Sequence, residues 1–337
     1  MPPKSTDALT QDELASLEAP QKSWAGHLKD KVILFLPCLG ILLAFLEYMY
    51  WPNLPGNSAT HIYTGFLLLA FISYLAYGLL ALFYRPAYKK LRHQAPFHAF
   101  VFFLLMVYDI LTLKTGTLVL PYFPWVDQVF NAIIGDYQYI LECLLASLLL
   151  LIKGYLVGAV LGLITGILCG YFDAVRYWIA PFMKVIGSIP TTTWLPIVMV
   201  LAATLHRAAV FIIALGVWFA LNNATYTGIR TINPEQFEIA QTLGANSRQL
   251  ITKIAIPATM PNIFQGLVQG MSTACTSLIV AEMVGVESGL GWYVTWQKSW
   301  ASYDKMYAGI LVICLLFLTV NGLLDKLQQV TLKWKEA

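Results

Sequence analysis

Long apolar runs alternate with short polar links along most of the chain. Eight runs stand out, at 32–51, 62–84, 97–113, 139–169, 178–205, 209–227, 262–282 and 306–324. A helix needs about 20 residues to cross the hydrocarbon layer, and most of these runs have that length. Backbone in hydrocarbon has to bond to itself, so runs of this kind predict helices. The expected fold is an all-α polytopic membrane protein with about eight transmembrane helices. Residues 1–31 read as a polar tail with a short surface helix near 24–31. Residues 85–96 read as a basic loop and 171–177 as a turn. Residues 114–138 form a longer link rich in proline and aromatics, which suits the membrane interface.

Two runs carry internal detail. In the fourth, Gly154, Gly158, Gly162, Gly166 and Gly170 repeat at four-residue spacing, which leaves one helix face almost bare. Such a face is built for close helix packing. Lys153 on the same helix needs a carboxylate or a carbonyl if it is not to face lipid. The fifth run is interrupted by Pro181, Pro190 and Pro196 and by Thr191-Thr192-Thr193. A broken helix at membrane depth is acceptable where it lines a cavity. Glu47 lies near the outer end of the first run, where water is expected to reach it, and Asp109 near the far end of the third.

Composition agrees: 58% of the 337 residues are hydrophobic and only 12% are charged. The placement of charge sets orientation. With the N-terminus inside, cytoplasmic segments hold 15 of the 21 Lys and Arg residues and outer loops hold 4. This follows the positive-inside rule. Cys38, Cys143, Cys169, Cys275 and Cys314 all fall in apolar runs and read as small buried hydrophobes. The five histidines are scattered, so neither a metal site nor a catalytic constellation is expected, and nothing points to nucleic acid. The chain has no G-x-x-x-x-G-K-[ST] phosphate loop, so ATP hydrolysis by this chain alone is not expected.

One long polar segment, 235–261, lies between apolar runs in the second half. Glu235, Glu238 and Ala240 share a helical stretch. Gly244-Ala245-Asn246 reads as its stop, and a second short helix follows until Pro257 and Pro261 end it. A polar hairpin of this kind has to sit at the membrane surface, and the charge count places it in the cytoplasm. An ordinary cytoplasmic helical hairpin has the same pattern.

Glu238-Ile239-Ala240, Gly244 and Ile254-Ala255-Ile256-Pro257 resemble the EAA signature of bacterial ABC-importer permeases, with apolar replacements at Ile239 and Ile256. Ser188-Ile189-Pro190, Trp194-Leu195-Pro196-Ile197, Gly228-Ile229, Gly266-Leu267, Ala281-Glu282-Met283 and Gly289-Leu290-Gly291 are similar to the nitrate, sulfonate, taurine and bicarbonate branch of that family. The resemblance covers about 140–330. It implies a type I importer permease core at 139–330, with its coupling loop at 229–261. It departs at 32–138, which reads as additional transmembrane segments, and 331–337 is a second cytoplasmic tail. It also implies a bacterial inner-membrane location, a second permease copy, an external substrate-binding protein, and cytoplasmic ATPase subunits that hold ATP and magnesium. This chain itself would hold no cofactor. Its coupling residues would be Glu235, Glu238, Ala240, Gly244, Ala245 and Pro257.

The expected pathway lies along the fifth, sixth and seventh runs, at Thr191, Thr192, Thr193, Trp194, Trp218, Asn222, Gln269, Ser272, Thr273 and Thr276. These offer hydrogen bonds without fixed charge, which suits a small anionic solute. The residues alone leave other readings open. One is a secondary transporter or channel working without a motor, with Lys153 or Lys184 as a coupling site. Another is an importer of a pyrimidine vitamin precursor. A third is a membrane scaffold or sensor.

Overall fold

A computed structural model describes residues 24–332, with side chains from Asp30 onward. All regular elements among the described residues are helical. Seven helices there are long and apolar enough to cross a membrane, or eight with a bent pair counted as one span. The chain divides into two compact units between Gln128 and Val129, where the sequence placed the start of the permease core at 139.

The first unit contains α1 (Trp24–Tyr50), α2 (Ile62–Phe83) and α3 (Arg85–Asp109), and α3 ends in a π turn at Ile110–Lys114. The basic stretch 85–96 is therefore helix and not the expected loop. Pro86 occupies the first turn, where its missing N–H costs nothing. Arg92 then reaches Asp30 of α1 in an ion pair. At the other end, Tyr48 meets Tyr63 edge to face. The Asp127 carboxylate accepts the Thr60 N–H at 2.7 Å and the Tyr63 N–H at 3.1 Å. Glu47 is not water-accessible as expected: its side chain is 7% exposed, 3.9 Å from the buried Lys114 ammonium.

The second unit begins within α4 (Val126–Gly135), a helix where the sequence suggested only a link. Next come α5 (Tyr137–Tyr171), the bent pair α6 (Asp173–Ser188) and α7 (Leu195–Leu201), and then α8 (Leu205–Arg230). The stub helix α9 (Pro234–Thr242) leads to one turn of α10 (Ser247–Gln249), a π segment Leu250–Ala255 and α11 (Ile256–Val284). Helices α12 (Leu290–Ser299) and α13 (Tyr303–Thr331) complete it. Residues 171–177 are mostly inside α5 and α6 and do not form a separate turn.

The glycine ladder explains the core of this unit. A Cβ on Gly154 would stand 2.6 Å from Ile213 Cβ, and one on Gly166 would stand 2.7 Å from Thr225 Cβ. Gly158, Gly162 and Gly170 meet Ala214, Trp218 and Ile229 in the same way. Helix α5 thus lies backbone to backbone on α8, which a side chain at these positions would prevent. The same device continues on the other side of α8, where Gly266 and Gly270 of α11 face Leu221 and Val217. Leu150, Ile213, Val217, Ala274 and Leu278 fill the seams. Leu141, Leu145, Leu149, Ile152 and Leu156 form the opposite stripe of α5 and are exposed, as a lipid-facing surface has to be.

Prolines act differently from the sequence reading. Pro181 sits inside α6 and Pro196 in the first turn of α7, so neither breaks a helix. Only Pro190 does: Ile189 before it is extended, and the chain bends by 96°. Pro257 and Pro261 do not end a helix either. The π segment before Ile256 absorbs the missing N–H, and one continuous helical span runs Ser247–Val284. Lys153 is exposed on α5, away from the glycine ladder, and no ion pair or hydrogen bond among the described residues reaches it.

Candidate functional site

Two features of the second unit carry chemistry. The first is α9. Asn233 caps it, its side-chain oxygen accepting the Glu235 N–H at 3.1 Å, and Pro234 fills the first turn. Glu235 in that turn complements the helix dipole. At the far end the Ala245 N–H donates to Ala240 O at 3.0 Å, and the Gly244 N–H donates to Gln241 O at 2.9 Å. That pair of bonds is a Schellman cap, which needs a left-handed residue, and Gly244 has φ +82°. A Cβ at Gly244 would meet nothing within 4 Å. Within this chain, then, its glycine serves backbone conformation.

Asn246 starts the next turn in a reciprocal cap with Gln249, 2.9 Å in each direction. Both ends of the bend are therefore fixed by local bonds. Phe237 leans on Tyr171 at the end of α5, and Ala240 is half-buried. Glu235, Glu238, Ile239 and Leu243 stay exposed, Ile239 at 61% and Leu243 at 83%. A rigid stub that presents two apolar side chains and two carboxylates has the makeup of a docking surface. Pro257 is exposed and lies nearly three turns into the following span.

The second feature is a cavity of about 520 Å³ at the break between α6 and α7. The corner Ser188–Thr192, with extended backbone only at Ile189 and Pro190 before a 3-10 turn, forms one side, Phe219 of α8 another, and Gln269, Ser272, Thr273, Thr276 and Ser277 of α11 a third. Its lining holds no charged side chain. The hydroxyls of Ser272, Thr273 and Thr276 donate back to carbonyls one turn earlier, at 3.4, 3.1 and 3.2 Å. Their remaining lone pairs, and the exposed Gln269 amide, are what the cavity offers. A neighbouring pocket of about 230 Å³ has a different character. Arg176 and Lys184 line it together with Asn223, and no carboxylate does.

Of the pathway residues expected from sequence, Thr191, Thr192, Gln269, Ser272, Thr273 and Thr276 share the polar cavity. The others lie elsewhere. Thr193 is exposed, and Trp194 faces an apolar cavity with Phe182 and Phe211. Trp218 Nε1 donates to Thr165 Oγ1 at 3.0 Å, and the Asn222 amide donates to the same oxygen. Both belong to the α5–α8 seam. One residue along α8 turns the side chain by about 100°, which puts Phe219 in the cavity in place of Trp218.

The sequence names Ala281-Glu282-Met283 and Gly289-Leu290-Gly291 only as a resemblance, and the structure shows the joint they make. Buried Glu282 near the end of α11 accepts the Ser147 hydroxyl at 2.6 Å and the Gly291 N–H at 2.8 Å. Ser147 in turn accepts the Leu290 N–H at 2.8 Å. Gly289, at φ +105°, leaves no room for a Cβ beside the carboxylate. One side chain thereby ties α5, α11 and the start of α12 together.

A bundle of membrane helices with a polar cavity beside a broken span belongs to the class of membrane transport permeases. The chain is a member of the family described as binding-protein-dependent transport system inner membrane components, whose sequence profile matches residues 158–332. It is a multi-pass inner-membrane protein. It is 29% identical over 184 residues to the putative aliphatic sulfonates transport permease protein SsuC of Bacillus subtilis, covering 55% of this chain and 67% of that one. It is 28% identical over 183 residues to the bicarbonate transport system permease protein CmpB of Synechococcus elongatus, covering 53% and 63%. It is 27% identical over 180 residues to the nitrate import permease protein NrtB of Leptolyngbya laminosa, covering 53% and 62%. Among solved structures, a crystal structure of an amino acid ABC transporter with histidines matches with a TM-score of 0.50 and 18% identity. The match covers 60% of this chain and 96% of that one, a likeness of fold.

Proposed function

We propose that this chain is the membrane half of an ATP-driven importer for a small anionic solute, of the nitrate, sulfonate, taurine or bicarbonate class. Cytoplasmic ATPase subunits, which hold ATP and magnesium, grip the exposed face of α9. A second permease copy completes the pathway, and an external binding protein delivers the solute. The observation that carries this reading is the construction of α9: capped at both ends and tied to α5, yet exposing Ile239, Leu243, Glu235 and Glu238. A motor can push only on a lever that does not yield, and coupling requires contacts that differ between two states.

The anionic substrate follows from the three named relatives and from local charge. The polar cavity holds no charged side chain, and the adjoining pocket is lined by Lys184 and by Arg176, itself paired with Asp173, so the positive charge left there raises the local concentration of anions. A secondary transporter is disfavoured by the same cavity, which carries no ionisable group to couple on.

The test is uptake into vesicles by the assembled complex, with nitrate, bicarbonate and taurine as separate probes. ATP-dependent uptake of one of them supports the reading. Uptake driven by an ion gradient without ATP contradicts it, and so does transport confined to a cationic or neutral solute.

A further inference from the structure

The uncharged cavity and the basic pocket beside it share one side chain: Phe219 of α8 lines both. Its ring lies against α6 where Gly187 has no side chain. A Cβ there would stand 2.7 Å from Phe219 Cζ and 3.0 Å from its Cε2. The two spaces follow one another across the membrane, in the orientation set by the charge count. Helix α6 starts at Asp173, on the cytoplasmic side, and reaches the break after Ser188, so Arg176 and Lys184 lie inward of the cavity. Helix α8 runs the other way and ends on the cytoplasmic side at Arg230. It places Asn223 and Tyr226, which also line the basic pocket, about one and two turns inward of Phe219. Both helices therefore set the basic pocket between the cavity and the cytoplasm.

The pocket measures about 230 Å³. A water takes about 30 Å³ in the liquid, so a small oxyanion fits there with some of its waters. Arg176 is shared with Asp173 at 3.0 Å, and Asp173 also meets Arg230 at 3.2 Å. The Lys184 side chain is exposed, and no ion pair or hydrogen bond among the described residues engages it. A basic side chain without a partner is costly against lipid, so Lys184 belongs on a water-filled path. An apolar constriction such as the Phe219 ring passes no ion until it moves or its walls part. We infer that the solute crosses in two stages: it rests first among the hydroxyls of α11, then passes the Phe219 ring into the basic pocket, where Lys184 holds it before release. Lys184 determines specificity for an anion, and Phe219 is the partition between the two stations. A single unshared basic group at the inner station keeps binding weak enough for release. The two-stage path rests on the anion-import reading above.

Uptake kinetics of the assembled complex in vesicles test the lysine, with nitrate, bicarbonate or taurine as the probe, whichever the wild-type complex takes up on ATP. Lys184→Gln should lower kcat about tenfold, the lower end of what focused charge supplies. KM, set before the inner station is reached, should stay close to wild type. Lys184→Arg should restore most of the rate, which it would not do if Lys184 only filled space. Thiol labelling tests the partition, in complexes whose native cysteines are replaced. An anionic methanethiosulfonate reagent, added from the cytoplasmic side without nucleotide, should modify Asn223→Cys but not Ser272→Cys. Adding Phe219→Ala should open Ser272→Cys to the same reagent. If the wild-type complex takes up none of the three probes on ATP, the import reading falls and the two-stage path with it. If it takes one up, the two-stage path alone is overturned by any of three results: Lys184→Gln as fast as wild type, Lys184→Arg as slow as Lys184→Gln, or Ser272→Cys labelled equally with and without the Phe219 ring.

Discussion

Two buried carboxylates show how differently the two units handle charge. Glu282 in the second unit is 1% exposed, and its oxygens accept the Ser147 hydroxyl and the Gly291 N–H. Asp109 in the first unit is as deeply buried and accepts nothing from the described residues. A satisfied buried anion organises the structure around it. The second unit uses its charge as a joint between helices. The first buries Lys114 with its ammonium bonded to the Tyr48 and Trp51 carbonyls and the Asn53 side chain. The same contrast runs through packing: the second unit is built on a glycine seam that admits no side chain, and the first is held by an ion pair, aromatic edges and a carboxylate clamp.

Substitutions can break or sharpen this contrast. The largest effect is expected at the seam. Gly158→Leu drives a side chain into the α8 backbone at Ala214 and should cost about 3 kcal/mol, at the upper end for overpacking. A lowered thermal unfolding midpoint and loss of folded yield in detergent would register it. Next, Glu282→Ala strands the Gly291 N–H and the Ser147 hydroxyl and should cost about 2 kcal/mol. Proteolysis near the Leu290 end of α12 should quicken with it. Gly244→Val forces a β-branched residue into the left-handed region and should cost about 1 kcal/mol, confined to the end of α9. Membrane insertion should persist while ATP-driven uptake falls. The smallest effect is expected for Asp109→Asn, within about 0.5 kcal/mol in either direction, because no hydrogen bond among the described residues is lost. If Asp109→Asn destabilises as much as Glu282→Ala, the contrast between the two carboxylates fails.

The second unit was the more legible in sequence, for a physical reason. Its main devices are local in the chain: glycines every four residues, a proline that breaks a helix, a cap residue at Gly244. Periodicity reports such things directly. Errors arose where local signs were overruled. Residues 85–96 look like a loop because they are basic, but Lys and Arg are good helix formers and Arg92 has a partner in Asp30. Pro257 and Pro261 look like stops, but a π segment makes room for them. Trp218 was placed in the cavity and Phe219 was not named, since a polar or aromatic side chain on a span gives no sign of which neighbour it faces. The approach of Lys114 to Glu47 and to the Tyr48 carbonyl joins residues more than 60 positions apart, beyond the reach of any local pattern.

The central claim is that α9 is the lever a nucleotide-hydrolysing partner grips. Leu243 is its most exposed apolar residue, so Leu243→Cys, in a chain whose native cysteines are replaced, reports on it directly. In the assembled complex a thiol cross-linker should join residue 243 to the ATPase subunit, with a yield that changes when ATP is added. Labelling of that cysteine from outside intact cells by a membrane-impermeant thiol reagent, or cross-links that never include an ATPase, would contradict the account.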